Sequence, residues 1–501
     1  MRTSGFLLLV SLSRLALSAN HALYRKEEAC ATLEAELPGD VSYPNTTAYL
    51  QSSYYWSDQQ QETHPNCFVT PRTTAAVSTV LRTLTRHNAP FTVKGGGHSP
   101  FSGGSSIEDG VTIDLVYLDS IKVSADRKTV SIGPGNRWIN VTEALDPLKL
   151  AVVGGRTADV GVSGLILGGG ISYFSGQKGW ACDNVNGFEV VLASGSVIYA
   201  SPKQHNDLYW ALRGGGSLNF GIVTRFDLAS FDQGQIWQHG LTFPGSANAS
   251  VLSTFQNLTV KGLPLDPAAH SFLGVAPAAD GTYAVNVNVL HATVPYPKNS
   301  IPPVFQPFEK LPGSIAIETN VGGVSTFLQK YATPYGLRQT WGNVYLKANF
   351  PRPVLTSIVS LFEARNSALF EAAPGDTIAP LALIQAIPTN VLQLMEKNGG
   401  NPLGLRASDG PLIMVSFPIS WTDPRNDNLV VDSTRKLIAQ IAKKAKQYGV
   451  DSPFVYLNYA DSSQQVQKGY GKDNYERLKR IAKKYDPQGK LAKLWVGYFK
   501  L

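Results

Sequence analysis

Charge is scarce in this chain of 501 residues: Asp, Glu, Lys and Arg make up 16% of it, where an average globular protein carries about 25%. Histidine and cysteine are scarcer still, eight and three respectively. No two histidines stand at His-x-x-x-His spacing or beside a cysteine cluster, which argues against a protein-bound zinc or iron; no metal site is expected. There is no Gly-x-Ser-x-Gly elbow, so nucleophilic serine hydrolysis has no support. The segments GPGNRW and RGGGSLNFG resemble glycine fingerprints, but the strand, G-x-G-x-x-G turn and helix of a Rossmann unit never occur together. The net charge of +7 is spread along the chain. Its densest basic runs, KKAKQ and LKRIAKKY, fall in helical patterns and read as solvated faces, so no nucleic-acid partner is expected. Beyond the N-terminus no stretch approaches the roughly 20 apolar residues of a membrane helix, so no membrane anchor is expected.

The N-terminus, MRTSGFLLLVSLSRLALSAN, has a basic start, an apolar stretch interrupted by Arg14, and small residues at a cleavage site. Residues 1–18 therefore read as a signal peptide, and the protein as secreted or routed through the secretory pathway. Four sequons, at Asn45, Asn140, Asn248 and Asn257, agree with export as glycosylation acceptors. Cys30 and Cys67 both lie in the N-terminal region, where a disulfide could staple the chain start to the first domain; two independent thiols are the alternative. Cys182, in the apolar Trp180-Ala181-Cys182, reads as a buried free thiol.

The length predicts two or three domains. From residue 68 the pattern runs helix (TTAAVSTVLRTLTRHN), strand (APFTVKG), a glycine-rich turn, two alternating stretches (GVTIDLVYL, KTVSIGPG) and a helix around WINVTEALDP. Residues 151–230 hold the densest glycine of the chain and two further strands, Phe188 to Leu192 and Ser196 to Tyr199. After Phe226, alternating strands such as TYAVNVNVLHATV and PLIMVSFPISW interleave with amphipathic helices, including DSTRKLIAQIAKKAKQYG. That second unit predicts an antiparallel sheet with helices on one face, and the fold class is α+β. Near the end, NYERLKRIAKKYDP has helical spacing and stops at Asp486-Pro487. The glycine turns Gly95 to Ser99, with Lys94 beside them, and Gly103 to Ser105 could form backbone nests for an anion. Gly161 to Gly170 and Gly214 to Val223 would cover the rest of an extended ligand. Each loop alone is equally a tight turn.

VKGGGHSPFSGGSSIEDGVTIDL resembles the flavin loop of the berberine bridge enzyme-like branch of the vanillyl-alcohol oxidase family. Further motifs follow in the family's order: VGVSGLILGGGISYFSGQKGWACDNV, DLYWALRGGGSLNFGIVTRF, GGNPLGL, YLNYAD and YGKDNYERLKRIAKKYDP. The resemblance runs from about residue 63 to 490. It implies a two-lobed PCMH-type FAD-binding domain over residues 19–233, a substrate-binding domain over 234–450 with an antiparallel sheet backed by helices, and a segment 451–501 returning to the first domain. His98 matches the histidine that carries FAD covalently. The other cofactor-binding positions implied are Lys94, Gly95, Gly96, Gly97, Ser99, Gly103, Gly104, Val160, Gly161, Gly164, Gly169, Gly170, Gly221, Ile222, Val223 and Asn458. Thr157 stands where many members have a second flavin-linking cysteine, so a single histidine link is expected. Val160, at the position that influences dioxygen access, favours an oxidase over a dehydrogenase. Tyr456 and Tyr459 match the tyrosines that often take part in proton abstraction; an ordinary tyrosine pKa near 10 means a base at neutral pH needs help from its neighbours. PLIMVSFPISW offers only the hydroxyls of Ser416 and Ser420 where some relatives place a carboxylate, and Pro100 replaces the tyrosine of sugar-oxidising members. The implied function is an FAD-linked oxidase of secondary metabolism. It would take a hydride from a small alcohol, amine or activated carbon, with dioxygen as acceptor and hydrogen peroxide as product. The alternatives are a carbohydrate oxidase, or a flavin-retaining protein with a binding, non-redox or cyclising role. The sequence leaves the oligomeric state open.

Overall fold

Alternation along single strands builds the architecture. In Leu412–Ser416, Ile413 and Val415 join one apolar core while Leu412 and Met414 join another. Side chains on a strand point alternately to its two faces, so such a strand is buried on both. The computed structural model describes residues 27–294, 300–350 and 353–501; the proposed signal peptide lies outside them.

Leu412–Ser416 belongs to an eight-stranded sheet, antiparallel throughout, whose strands fall between Ile236 and Ser452. One face packs on the helices Asn248–Asn257, Pro353–Ala372 and Asp427–Gln447 through residues such as Phe255, Ile358 and Leu437. The other face, carrying Phe272, Gln385 and Met414, turns toward the N-terminal part of the chain, with Phe272 opposite Gln385 in register. This is the expected sheet with helices on one face. The stretch PLIMVSFPISW departs from expectation, because it divides at Phe417-Pro418. Its second half, Ile419–Trp421, joins a separate three-stranded sheet with Arg338–Thr340 and Ala379–Pro380. Proline has no N–H to offer a ladder, so the strand cannot run straight through.

The N-terminal part holds two smaller sheets. One has the order Val41–Ser42, Cys67–Val69, Val111–Asp114, Phe91–Lys94, with its last three strands parallel. The other is antiparallel around the long strand Ile222–Asp232. The helix Thr74–His87 starts on Thr73, whose hydroxyl accepts from Ala76 N–H, and ends at Asn88 in the left-handed region. Cys30 and Cys67 form a disulfide inside the core beneath this helix. Cys182 is buried and free, and burial first, then the nearby Asp183 charge, push its thiol pKa well up. The C-terminal end returns to the first sheet, where Val496 N–H donates to Phe91 O at 2.7 Å. Among the described residues no helix is long and apolar enough to cross a membrane. Asn45, Asn140 and Asn257 are exposed and Asn248 partly so.

Candidate active site

A cleft is lined by the glycine-rich loops of the N-terminal part together with Thr333, Trp341 and the segment Tyr456 to Ala460. It encloses about 1670 Å³ of empty space, its solvent-open part included. Gly95, Gly96, Gly97, His98, Ser99, Gly104, Val160, Gly161, Gly164, Gly221, Ile222, Val223, Tyr456, Asn458 and Tyr459 all line it. Four expected residues do not: Lys94, Gly103, Gly169 and Gly170.

Lys94 departs most from expectation. Its ammonium is buried and turned away, donating to Ser52 O at 2.7 Å and to Asp114 at 3.2 Å, with the Tyr55 ring 4.6 Å below it. It pins the N-terminal segment to the sheet and does not line the cleft. Gly169 sits at φ +122, and a side chain there would strike Trp180. Gly170 offers its N–H to Tyr456, and Gly103 lies at a turn with φ +77.

The glycines that do line the cleft are cleared partly for one another. A Cβ on Gly96 would fall 2.4 Å from Gly161 Cα, and one on Gly161 would fall 2.6 Å from Gly96 Cα. The two loops therefore cross in backbone contact. Gly95 is closed in the same way by Ser163 Oγ, 2.1 Å from where its Cβ would be. Gly164 differs: nothing stands within 4 Å of its missing side chain. There the vacant volume belongs to the cleft itself.

At one end of the cleft His98 stacks flat on Trp56, with ring centroids 4.0 Å apart. Its Nε2 lies 3.1 Å from Thr333 Oγ1 and 3.3 Å from Asp159 Oδ2, and the Thr333 hydroxyl donates to the same carboxylate oxygen at 2.7 Å. Burial raises the Asp159 carboxyl, but hydrogen bonds from His98 and Thr333 more than offset it, and the pKa ends below its usual 3.8. An ionised carboxylate, and a hydroxyl already donating to it, are both acceptors for Nε2. They place the proton of a neutral His98 on Nε2 and leave Nδ1 with its lone pair. Nδ1 has no hydrogen-bond partner among the described residues. The loop itself is held by Gln60, whose Nε2 donates to Ser99 O at 2.6 Å and whose Oε1 accepts from Ser105 N–H at 2.7 Å.

The two tyrosines of the YLNYAD segment separate in role. Tyr456 is 2% exposed, and its hydroxyl oxygen accepts from Gly170 N–H (3.0 Å), Ile171 N–H (3.2 Å) and Asn458 Nδ2 (3.0 Å). Burial drives its pKa far up, so it stays a phenol and buttresses the loop. Tyr459 is half-buried, 4.7 Å from the Trp341 ring, and its hydroxyl accepts from Arg156 Nη2 at 3.2 Å. Ser416 is fully buried and its hydroxyl turns to Leu383 O; Ser420 lies in the three-stranded sheet. Thr157, Pro100 and Val160 all line the cleft.

These features suit an FAD. Three glycine-bearing loops present backbone along the cleft, Gly164 leaves room a side chain would fill, and a histidine with a free ring nitrogen closes one end. Gln60, Trp56, Thr333 and Trp341 are not foreseen from sequence. None sits in a motif, and each is at least 38 positions from His98 in the chain.

Residues 65–201 match the family model described as FAD binding domain, and residues 455–489 the model described as berberine and berberine like. The FAD-dependent monooxygenase tpcD of Cochliobolus heterostrophus is 36% identical over 94% of this chain and 92% of its own length. The FAD-dependent monooxygenase FUP4 of Fusarium proliferatum is 32% identical over the whole of both chains. Among solved structures, the Physcomitrella patens BBE-like 1 protein superposes with a TM-score of 0.78 at 18% identity, over 94% of this chain and 98% of its own. Glucooligosaccharide oxidase from Acremonium strictum, described with a 6-S-cysteinyl, 8α-N1-histidyl FAD, superposes with a TM-score of 0.76 at 20% identity, over 95% and 98%. With motifs, fold and cleft in agreement, the chain belongs to the berberine bridge enzyme-like family of FAD-dependent oxidoreductases.

Proposed function

We propose that the chain is an FAD-linked oxidase acting on a small organic substrate of secondary metabolism in the secretory pathway, with its flavin attached through His98 alone. The observation that carries this reading is the ring of His98, which lines the cleft: its Nε2 is tied to Asp159 and Thr333, and its Nδ1 has no hydrogen-bond partner among the described residues. Bound FAD supplies a two-electron acceptor for a hydride from the substrate, regenerated by dioxygen with release of hydrogen peroxide. The chain's own residues do the rest. Gln60 and the crossing of Gly96 with Gly161 fix the His98 loop, and Tyr456 fixes the loop opposite. Tyr459, with Arg156 at its hydroxyl, is the group offered to a substrate proton. Thr157 cannot form a thioether, which supports the single link, and the disulfide of Cys30 with Cys67 agrees with an oxidising compartment.

A denaturing gel of purified protein viewed in acid for flavin fluorescence, beside His98→Ala, tests the link. The native protein should fluoresce and the variant should not; persistence in the variant refutes attachment at His98. Anaerobic bleaching of the flavin by candidate substrates, followed by peroxide measurement on admitting air, tests the oxidase chemistry. The names of the relatives favour a second reading, a monooxygenase. Isotopically heavy dioxygen separates the two: label in the product supports oxygen insertion, and label in peroxide alone supports the oxidase.

A further inference from the structure

Arg156 is a cation without a counter-ion. Its Nη1 meets His270 Nε2 at 3.1 Å, and its Nη2 donates to Gln385 Oε1 at 2.6 Å and to Tyr459 Oη at 3.2 Å. None of the three partners is a carboxylate. Burial first, then the guanidinium itself, holds His270 well below its usual 6.5, so it takes the Arg156 hydrogen as an acceptor. Among the described residues no carboxylate comes within 4.0 Å of Arg156. Arg156 is partly buried; the deeply buried arginines differ, with Arg213 paired with Asp183 and Arg338 with Glu62 and Asp427. Asp159, three positions along the same loop, is committed to His98 and Thr333 and does not line the cleft.

The surroundings of Arg156 favour the same kind of ligand. Its Nε–H and one Nη1–H have no partner among the described residues, and the buried Nε1 of Trp341 has no acceptor. Trp341 and Tyr459 pack tilted against each other with ring centroids 4.7 Å apart, Trp56 meets Trp341 edge-on at 6.5 Å, and all three rings line the cleft. Partly buried charge is costly unless paired, and unpaired donors are costly unless accepted. One ligand chemistry answers both needs and suits an aromatic lining.

We propose that this end of the cleft takes a flat aromatic substrate as its oxyanion, a phenolate or an aryl carboxylate, with Arg156 as the counter-charge. This rests on the reading that the cleft holds FAD with its reactive end at His98. The test is a binding titration on the flavin-loaded protein, followed by perturbation of the flavin absorption band and by tryptophan quenching. The probes are naphthoate, its neutral amide, picrate as a phenolate, and cyclohexanecarboxylate as a non-aromatic acid. The native protein should bind naphthoate or picrate at least tenfold more tightly than naphthamide or cyclohexanecarboxylate; the stronger of the two distinguishes carboxylate from phenolate. Arg156→Gln should weaken the anions by about ten- to hundredfold, the range of a charge-assisted hydrogen bond, and leave naphthamide within about threefold. Arg156→Lys should recover part of the loss. Equal binding of naphthoate and naphthamide by the native protein overturns the proposal, as does an equal loss of both in Arg156→Gln. Unfolding midpoint and flavin content of each variant show whether a loss comes from damage to the fold. Absence of a flavin band in the native protein is a separate result, which refutes the cofactor reading instead.

Discussion

Replacing Tyr456 by Phe removes one oxygen atom and leaves the ring packed edge-on against Trp180, whose centroid is 5.1 Å away. The oxygen accepts three hydrogen bonds. Asn458 Nδ2 keeps its bond to Leu165 O at 3.0 Å, so its loss is partial. Gly170 and Ile171 N–H have no other acceptor among the described residues and are buried. Each orphaned buried donor costs about 1–3 kcal/mol, so the substitution should cost about 2–6 kcal/mol. That is a large share of the roughly 5–15 kcal/mol that holds a typical protein folded. Denaturant unfolding followed by tryptophan fluorescence measures it, and the midpoint should fall clearly. Tyr459→Phe is the internal control: its hydroxyl is half-exposed and accepts only from Arg156, so stability should change by less than about 1 kcal/mol while turnover falls. If Tyr456→Phe unfolds at the native midpoint yet loses turnover with a shifted pH profile, the buttress reasoning is refuted and Tyr456 handles a proton.

Gly96→Ala should lower the thermal midpoint and the flavin content together, since its Cβ would lie 2.4 Å from Gly161 Cα and overpacking costs about 1–3 kcal/mol or more; an unchanged midpoint would show that the loops can part. Thr157→Cys placed in a His98→Ala background should restore a covalently bound flavin, read as a mass increment of the denatured protein, and an unmodified mass would mean that position 157 does not reach the flavin. Asp159 has a depressed folded pKa, so its contribution is complete above the usual 3.8 and is lost as pH falls through the lower folded value. Asp159→Asn should therefore flatten stability against pH in that acid window and nowhere else, as unfolding midpoints across pH will report. Cys182, buried with a raised pKa, should resist a thiol reagent in the native protein and react once in denaturant.

Elements with a strong local period were legible from sequence. The helix Asp427–Gln447 and the strand Tyr283–His291 carry their own burial pattern, and each forms where that pattern indicates. The division of PLIMVSFPISW at Pro418 was visible as a proline and was passed over because alternation continues on both sides. Glycine runs were legible as close approach but not as approach to what. Gly96 and Gly164 look alike in sequence; one meets backbone from residue 161 and the other meets empty cleft. Gln60, Trp56 and Thr333 were not legible at all. A glutamine in a DQQQ run has no period or spacing to distinguish it, and only the folded chain brings its amide to Ser99 and Ser105.

The charges of the site show why motif reading stops where it does. Arg156 and Asp159 occupy one short loop, three positions apart, yet they do not pair. The backbone forbids it. Ile139 N–H donates to Ala158 O at 3.1 Å, Trp138 N–H to Val160 O at 3.0 Å, and Ala158 N–H to Leu328 O at 3.2 Å, so the loop is clamped from both sides. Gly161 then locks against Gly96. Held in that form, Asp159 points to His98 and Thr333 while Arg156 points to the sheet, to His270 and Gln385. In a chain with so few charges, an anion spent on orienting a histidine leaves a cation over. That leftover cation, set beside Tyr459 and Trp341 in the cleft lining, is the basis of the anion preference proposed above, which no single motif encodes.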